Sequence, residues 1–146
     1  MNQEGTDKEG GNPARRSGMT KWIVIGFLLL ITILAVMNLP RGYDDDLSIL
    51  GKGTPAVVLI RDKNAVQSFE LMEVLNGIRS KYTGKVNFLL TDADTPEGKA
   101  FISASNASRV SVVLVDDSGK AVNVLYAPQS AESMQQAIAG SLGITN

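Results

Sequence analysis

The apolar positions of this chain fall into one long uninterrupted block followed by a series of short runs set in polar sequence. Residues 22–39, from Trp22 to Leu39, are apolar except for Thr32 and Asn38 and carry no charge. As a helix rising ~1.5 Å per residue, such a block is just long enough to cross a bilayer core. The later runs have the lengths of soluble elements. Residues 56–60, AVVLI, are β-branched and aliphatic throughout and predict a strand buried on both faces. Val66, Phe69, Met72, Leu75, Ile78 and Tyr82 recur at helical spacing. They predict a helix capped by Asn64, with Gln67 as its capping-box partner and Gly84 as its stop. Residues 86–90 predict a second strand. Thr95 and Pro96 then open a helix with Glu97 in its first turn and Ala100, Phe101, Ile102 and Ala104 as its apolar members.

Residues 110–115 and 121–126 predict two strands paired as an antiparallel hairpin across the turn sequence Asp116, Asp117, Ser118, Gly119. Ser130 caps a last helix carrying Met134, Ala137, Ile138 and Leu142, with Gly143 behind it. The order is β-α-β-α-β-β-α. A right-handed crossover makes the first two strands parallel, so an α/β fold with a mixed four-stranded sheet and helices on both faces is expected. The organisation is then a disordered tail over residues 1–21, a transmembrane helix over 22–39, a flexible stalk over 40–54 and a folded domain over 55–146. The stalk holds three consecutive aspartates and an apolar patch at Leu47, Ile49 and Leu50, able to dock on the domain or on a partner.

Charge sets the expected orientation. Arg15, Arg16 and Lys21 precede the apolar block, whereas Arg41 follows it and is succeeded by Asp44, Asp45 and Asp46. The positive-inside rule places the N-terminus in the cytoplasm and the domain in the periplasm or another extracytoplasmic space, on the inner membrane. Trp22 and Tyr43 stand where aromatic rings favour the headgroup level. A cleaved signal peptide is the alternative. The block, however, is longer than the usual apolar core of such a peptide, and the exit sequence 37–41, MNLPR, has no small-x-small cleavage pattern. Gly18 also departs from a twin-arginine signal. Within the block Gly26 faces Leu30, not a second small residue, so the helix-dimerisation motif is absent on that side, and a small face through Thr32 and Ala35 is an equally weak signal.

The chain has no cysteine and no histidine, and its 14 basic against 15 acidic residues leave it near neutrality. Thiol exchange, imidazole acid–base catalysis and the commonest zinc ligands are excluded together. Near-neutral charge argues against a nucleic-acid partner.

Several motifs nevertheless resemble the thioredoxin family. They are the strand over residues 56–60, the helix end Lys81-Tyr82-Thr83-Gly84-Lys85-Val86, the strand end Thr91-Asp92-Ala93-Asp94 and the hairpin over residues 109–120. The resemblance covers nearly the whole predicted domain and implies a minimal thioredoxin-like fold without the family's extra N-terminal strand and helix. It also implies where the family's chemistry is missing. The Cys-x-x-Cys motif falls on Ala65-Val66-Gln67-Ser68, so both thiolates are gone at Ala65 and Ser68. The buried acid falls on Leu59 and the cis-proline on Ser111. A redox-inactive member is the expectation.

Other candidate chemistry is sparse. Ser68 at a helix start reads as a cap, since no residue is placed to act as its base. Asp92, Asp94 and Glu97 form an acidic cluster that matches no calcium loop and is read as solvated and helix-capping, so no metal site is expected. Asn106-Ala107-Ser108 is a glycosylation acceptor only in a source with that machinery. The expected function is therefore a membrane-anchored scaffold or accessory subunit that binds one or more proteins and needs no cofactor or small-molecule substrate. From the family resemblance, its contact surface is the edge formed by Arg61, Asp62, Lys63, Asn64, Val66 and Gln67 with Ala107, Ser108, Arg109 and Val110. The alternatives are a thiol-independent enzyme, an accessory oxidoreductase that borrows a partner's cysteines, and a holdase using the patch at Leu47 to Leu50.

Overall fold

The computed structural model describes residues 17–37 and 42–145, with the side chains of its first helix described from Lys21 to Ala35. The expected tail residues Arg15 and Arg16 and the exit sequence around Leu39 lie outside them. The chain divides into two units at Arg41/Gly42. In the first, α1 runs Ser17–Met37. Its apolar side chains are exposed all round, Trp22, Ile25, Phe27, Leu30 and Ile33 among them. Among the described residues no helix is long and apolar enough to cross a membrane.

The second unit is built on four strands, β1 (Ala56–Arg61), β2 (Asn87–Asp92), β3 (Ser111–Val115) and β4 (Ala121–Tyr126), in the order β2-β1-β3-β4. β1 is parallel to β2 and antiparallel to β3, and β3 is antiparallel to β4. Burial follows position. The central strands β1 and β3 are buried along nearly their whole length, whereas the edge strands β2 and β4 are half-buried. Uninterrupted apolar runs thus mark strands covered on both faces.

Helices α2 (Val66–Ile78) and α4 (Ala131–Leu142) cover one face of the sheet, and α3 (Pro96–Ser105) covers the other. On the first face Val57, Leu59, Val112 and Leu114 meet Leu71, Leu75 and Ile78 of α2 and Met134 and Ile138 of α4. On the second, Ala56, Val58, Ile60, Val113 and Val115 meet Phe101 and Ile102. Thr95 caps α3 as expected, its hydroxyl accepting from the Gly98 amide at 3.0 Å, with Pro96 at the first helical position. Ser130 caps α4 in a reciprocal box with Ser133, and Gly143 ends it in a left-handed conformation.

Three sequence expectations need correction. The core face of α2 is Ser68, Leu71, Leu75, Ile78: the later members of the expected stripe, Leu75, Ile78 and Tyr82, are buried, but its first two, Val66 and Phe69, are 67% and 51% exposed. Asn64 does not cap α2, whose first flanking residue is Ala65 and has no side-chain cap; the Asn64 amide instead donates to Asp62 Oδ1 at 2.9 Å.

The third correction concerns the segment expected to be a flexible stalk, which is part of the fold from Tyr43 onward. The Leu90 amide donates to the Asp44 carbonyl at 2.9 Å, forming a one-residue parallel bridge on the β2 edge; as expected, no strand stands between α1 and β1 among the described residues. A short 3-10 turn, Leu47–Ile49, follows, and Leu47, Ile49 and Leu50 pack on the second face of the sheet. Tyr43 is half-buried on the first core, its hydroxyl donating to the Met72 carbonyl at 3.4 Å and the Arg79 guanidinium lying 5.0 Å from its ring centre. Burial pushes its phenol up to about 12 against the opposing pull of Arg79.

Candidate functional site

At one end of the sheet β1 and β2 finish side by side, and the parallel register sets Arg61 opposite Asp92. Neighbours in register point to the same face, so their side chains meet. Arg61 donates to Asp92 Oδ1 through Nε at 2.8 Å and Nη2 at 2.7 Å, and Lys63 Nζ reaches Oδ2 at 2.8 Å. Burial pushes the Asp92 carboxyl up, but hydrogen bonds from Lys63 and Arg61 outweigh it and hold the group below the usual carboxylate range. The strand end is fixed from below as well. The Thr95 hydroxyl donates to the Asp92 carbonyl at 2.9 Å, and a Cβ on Gly98 would collide with that same carbonyl oxygen.

The loop after β1 is shaped by Asp62 and Ser68. Asp62 Oδ1 accepts from the Asn64 amide, an Asx turn that stands where a helix cap was expected. The Asp62 amide donates to Ser68 Oγ at 2.9 Å. Ser68 is fully buried, so its hydroxyl ties the loop to the helix and is closed to any substrate. The loop before β3 is shaped by serines too: Ser108 Oγ donates to the Val110 carbonyl at 3.1 Å, and Ser111 Oγ to the Ser108 carbonyl at 2.9 Å.

Arg109 joins these parts. Its Nε donates to Asp62 Oδ2 at 2.9 Å and its Nη2 to Asp94 Oδ1 at 2.7 Å. One guanidinium thus links the loop after β1, the loop after β2 and the loop before β3. Hydrogen bonds from the Asn64 amide and from Arg109 hold the Asp62 carboxyl below the usual range, and those that Arg109 donates to Asp94 and Asp62 raise it above its own.

The structure therefore brings together Arg61, Asp62, Lys63 and Asn64 from the first predicted loop with Ser108, Arg109 and Val110 from the second. Ala107 is half-buried against the second core. Val66 and Gln67 are exposed at the start of α2. Of the positions matching the lost thioredoxin motif, Ala65 is the residue before α2, Ser68 and Ser111 are buried and hydrogen-bonded, and Leu59 is core. The peptide bond before Ser111 is trans, and the cis bond among the described residues is Ala127–Pro128, beyond β4.

Asp92 and Asp94 hold cations of the chain itself, and no group of acids able to hold a metal ion occurs among the described residues. Beside β2 lies an open cleft of about 480 Å³, lined by Tyr43, Asp45, Arg61, Thr91, Asp92 and Glu97 among others. Sequence reasoning missed the partners of Arg109. The available signal was the two aspartates that end the first two strand–loop junctions, Asp62 and Asp94, opposite a lone arginine before the third strand.

No protein-family model matches the chain, and no curated protein does. Among solved structures it is similar to a thioredoxin-like protein from Clostridium perfringens, with 14% identity and a TM-score of 0.59 over 66% of this chain and 78% of that one. The sheet order, the helices on both faces and this likeness together give the chain a thioredoxin-like fold, carried by a sequence without cysteine.

Proposed function

We propose that the chain is a single-pass, membrane-anchored and redox-inactive thioredoxin-like module. It binds another protein through its loop edge, as a scaffold or accessory subunit of a membrane or envelope complex. The observation that carries this reading is the Arg109 clamp. In the absence of thiol and imidazole, the three loops around the former reactive edge are still held in one arrangement by Asp62, Arg109 and Asp94. An edge ordered by its own ion pairs, with Val66 exposed beside it, presents a fixed surface of the kind a protein partner uses. The tether is the apolar block of residues 22–39, which runs beyond the described part of α1 and whose described side chains are exposed all round, a character that calls for lipid or protein cover. With Lys21 and the arginines before it on the cytoplasmic side, the domain faces the periplasm.

Purification of tagged full-length protein from native membranes in mild detergent, with mass spectrometry, tests both parts. The expected result is membrane-bound protein carrying one or more partners at fixed stoichiometry. Those partners are lost on Arg61→Ala or Arg109→Glu while the domain stays folded by circular dichroism. Full retention of partners by both folded variants refutes the placement at the loop edge. The holdase alternative loses its candidate patch, because Leu47, Ile49 and Leu50 pack on the domain's second core.

A further inference from the structure

Helix α2 carries an apolar face that the domain covers and, opposite it, an exposed face of mixed character. Ser68, Leu71, Leu75 and Ile78 face the core. At ~100° per residue, Val66, Phe69, Glu70, Glu73 and Gly77 fall within a stripe roughly 100° wide on the opposite side. All five are exposed. The upper part of this stripe is apolar, with Phe69 51% exposed. The middle is acidic, and neither Glu70 nor Glu73 enters an ion pair among the described residues. The cations of the neighbouring loops are already taken, Arg61 and Lys63 by Asp92, and Arg109 by Asp62 and Asp94.

The lower part ends at Gly77, around which a Cβ would meet nothing within 4 Å. A glycine inside a helix is less favourable than alanine, and no neighbour among the described residues requires it. What a bare backbone at that position permits is close approach from outside.

We infer that this face of α2 docks an amphipathic, basic helix of a partner protein. The partner's apolar residue covers Val66 and Phe69, its Lys or Arg side chains pair with Glu70 and Glu73, and its backbone approaches at Gly77. The inference rests on the protein-binding reading above and names the partner's chemistry. Charge decides among occupants, since two unpaired carboxylates flanking an aromatic ring repel an anionic lipid surface and attract a basic segment.

The test uses the full chain in nanodiscs of zwitterionic lipid. The probe is an 18-residue peptide patterned as an amphipathic helix of leucines and lysines, with empty nanodiscs to subtract lipid binding and the same pattern in leucine and glutamate as the control. The leucine–lysine peptide binds, and binding weakens at least ~10-fold in Phe69→Ser and in Gly77→Gln. Reversing both charges, Glu70→Lys with Glu73→Lys, transfers the preference to the leucine–glutamate peptide. Equal binding of both peptides, or of wild type and variants, overturns the inference, as does self-association of the full chain that disappears in Phe69→Ser, which assigns the face to a second copy. The natural partner separates the two readings. Loss in Arg109→Glu with retention in Phe69→Ser overturns the helix face and leaves the loop edge standing, and the converse does the reverse.

Discussion

The two ends of the sheet are held by different physics. At the end where β1 and β2 finish, the loops are joined by charged side chains: Arg61 and Lys63 on Asp92, and Arg109 on Asp62 and Asp94. At the other end, the turn before β1 and the β3–β4 hairpin lie backbone to backbone. The Gly53 amide donates to the Asp117 carbonyl at 3.1 Å, and a Cβ on Gly119 would come within 3.0 Å of Gly51 Cα. Asp116 also closes its own turn there, its carboxylate accepting from the Ser118 hydroxyl and from the Ser118 and Lys120 amides. A steric end has one arrangement, set by backbone contact that salt leaves unchanged, although the Asp116 carboxylate in its turn is held below the usual range by hydrogen bonds from Ser118 and Lys120. An ionic end can be adjusted by salt and acid.

The sharpest test of this contrast is the one steric point at the ionic end. Gly98→Ala sets a Cβ against the Asp92 carbonyl oxygen, so the start of α3 must shift; a loss of about 3 kcal/mol is expected from thermal unfolding. Next is Gly119→Ala, where φ is +89° and Gly51 stands close, for a loss of about 2 kcal/mol that does not change between low and high salt. Asp92→Asn strands two cations whose other sides reach solvent, and a smaller loss of about 1 kcal/mol is expected, shrinking as salt rises. If Gly119→Ala proves salt-sensitive and Asp92→Asn does not, the contrast is wrong.

Acid gives the smallest effect. Asp62 and Asp92 are held below the ordinary carboxylate range in the folded protein. Their contribution is therefore present above the unfolded aspartate value of ~3.9 and fades as the pH falls through the lower folded values. Melting temperature should fall more steeply below about pH 4 in wild type than in a variant carrying both Asp62→Asn and Asp92→Asn. Parallel slopes would show that the ion pairs add nothing to the fold.

Much of this architecture was legible in the residues. β4 was expected over residues 121–126 and is found there, because a turn sequence precedes it and its apolar run is short. Thr95 with Pro96, and Ser130 with Gly143, marked their helix ends because capping is a local interaction. The core face of α2 was only partly legible, for a physical reason. Val66 and Phe69 satisfy helical periodicity as well as Leu71 does, and only the sheet beneath decides which stripe is covered. Similarly, Asp44 to Asp46 read as solvated linker, since nothing in a charged triplet tells that its backbone will pair with β2. The loop edge follows from fold resemblance, and its two aspartates and lone arginine stand at the expected junctions, but that they pair depends on distances between three loops that the sequence signal only suggests.

The docking of that triplet has a further consequence for how the sheet meets its neighbours. Asp44 sits against β2, Asp45 lines the cleft beside it and Asp46 caps the adjoining 3-10 turn, so one margin of the sheet carries a row of exposed carboxylates. A foreign strand sliding along that margin meets negative charge before it meets free backbone. β4, at the opposite margin, has six residues and no charge among them. Among the described residues the two margins of the sheet thus differ in electrostatics: the β2 side meets a foreign strand with carboxylates, and β4 carries no charge of its own to oppose one.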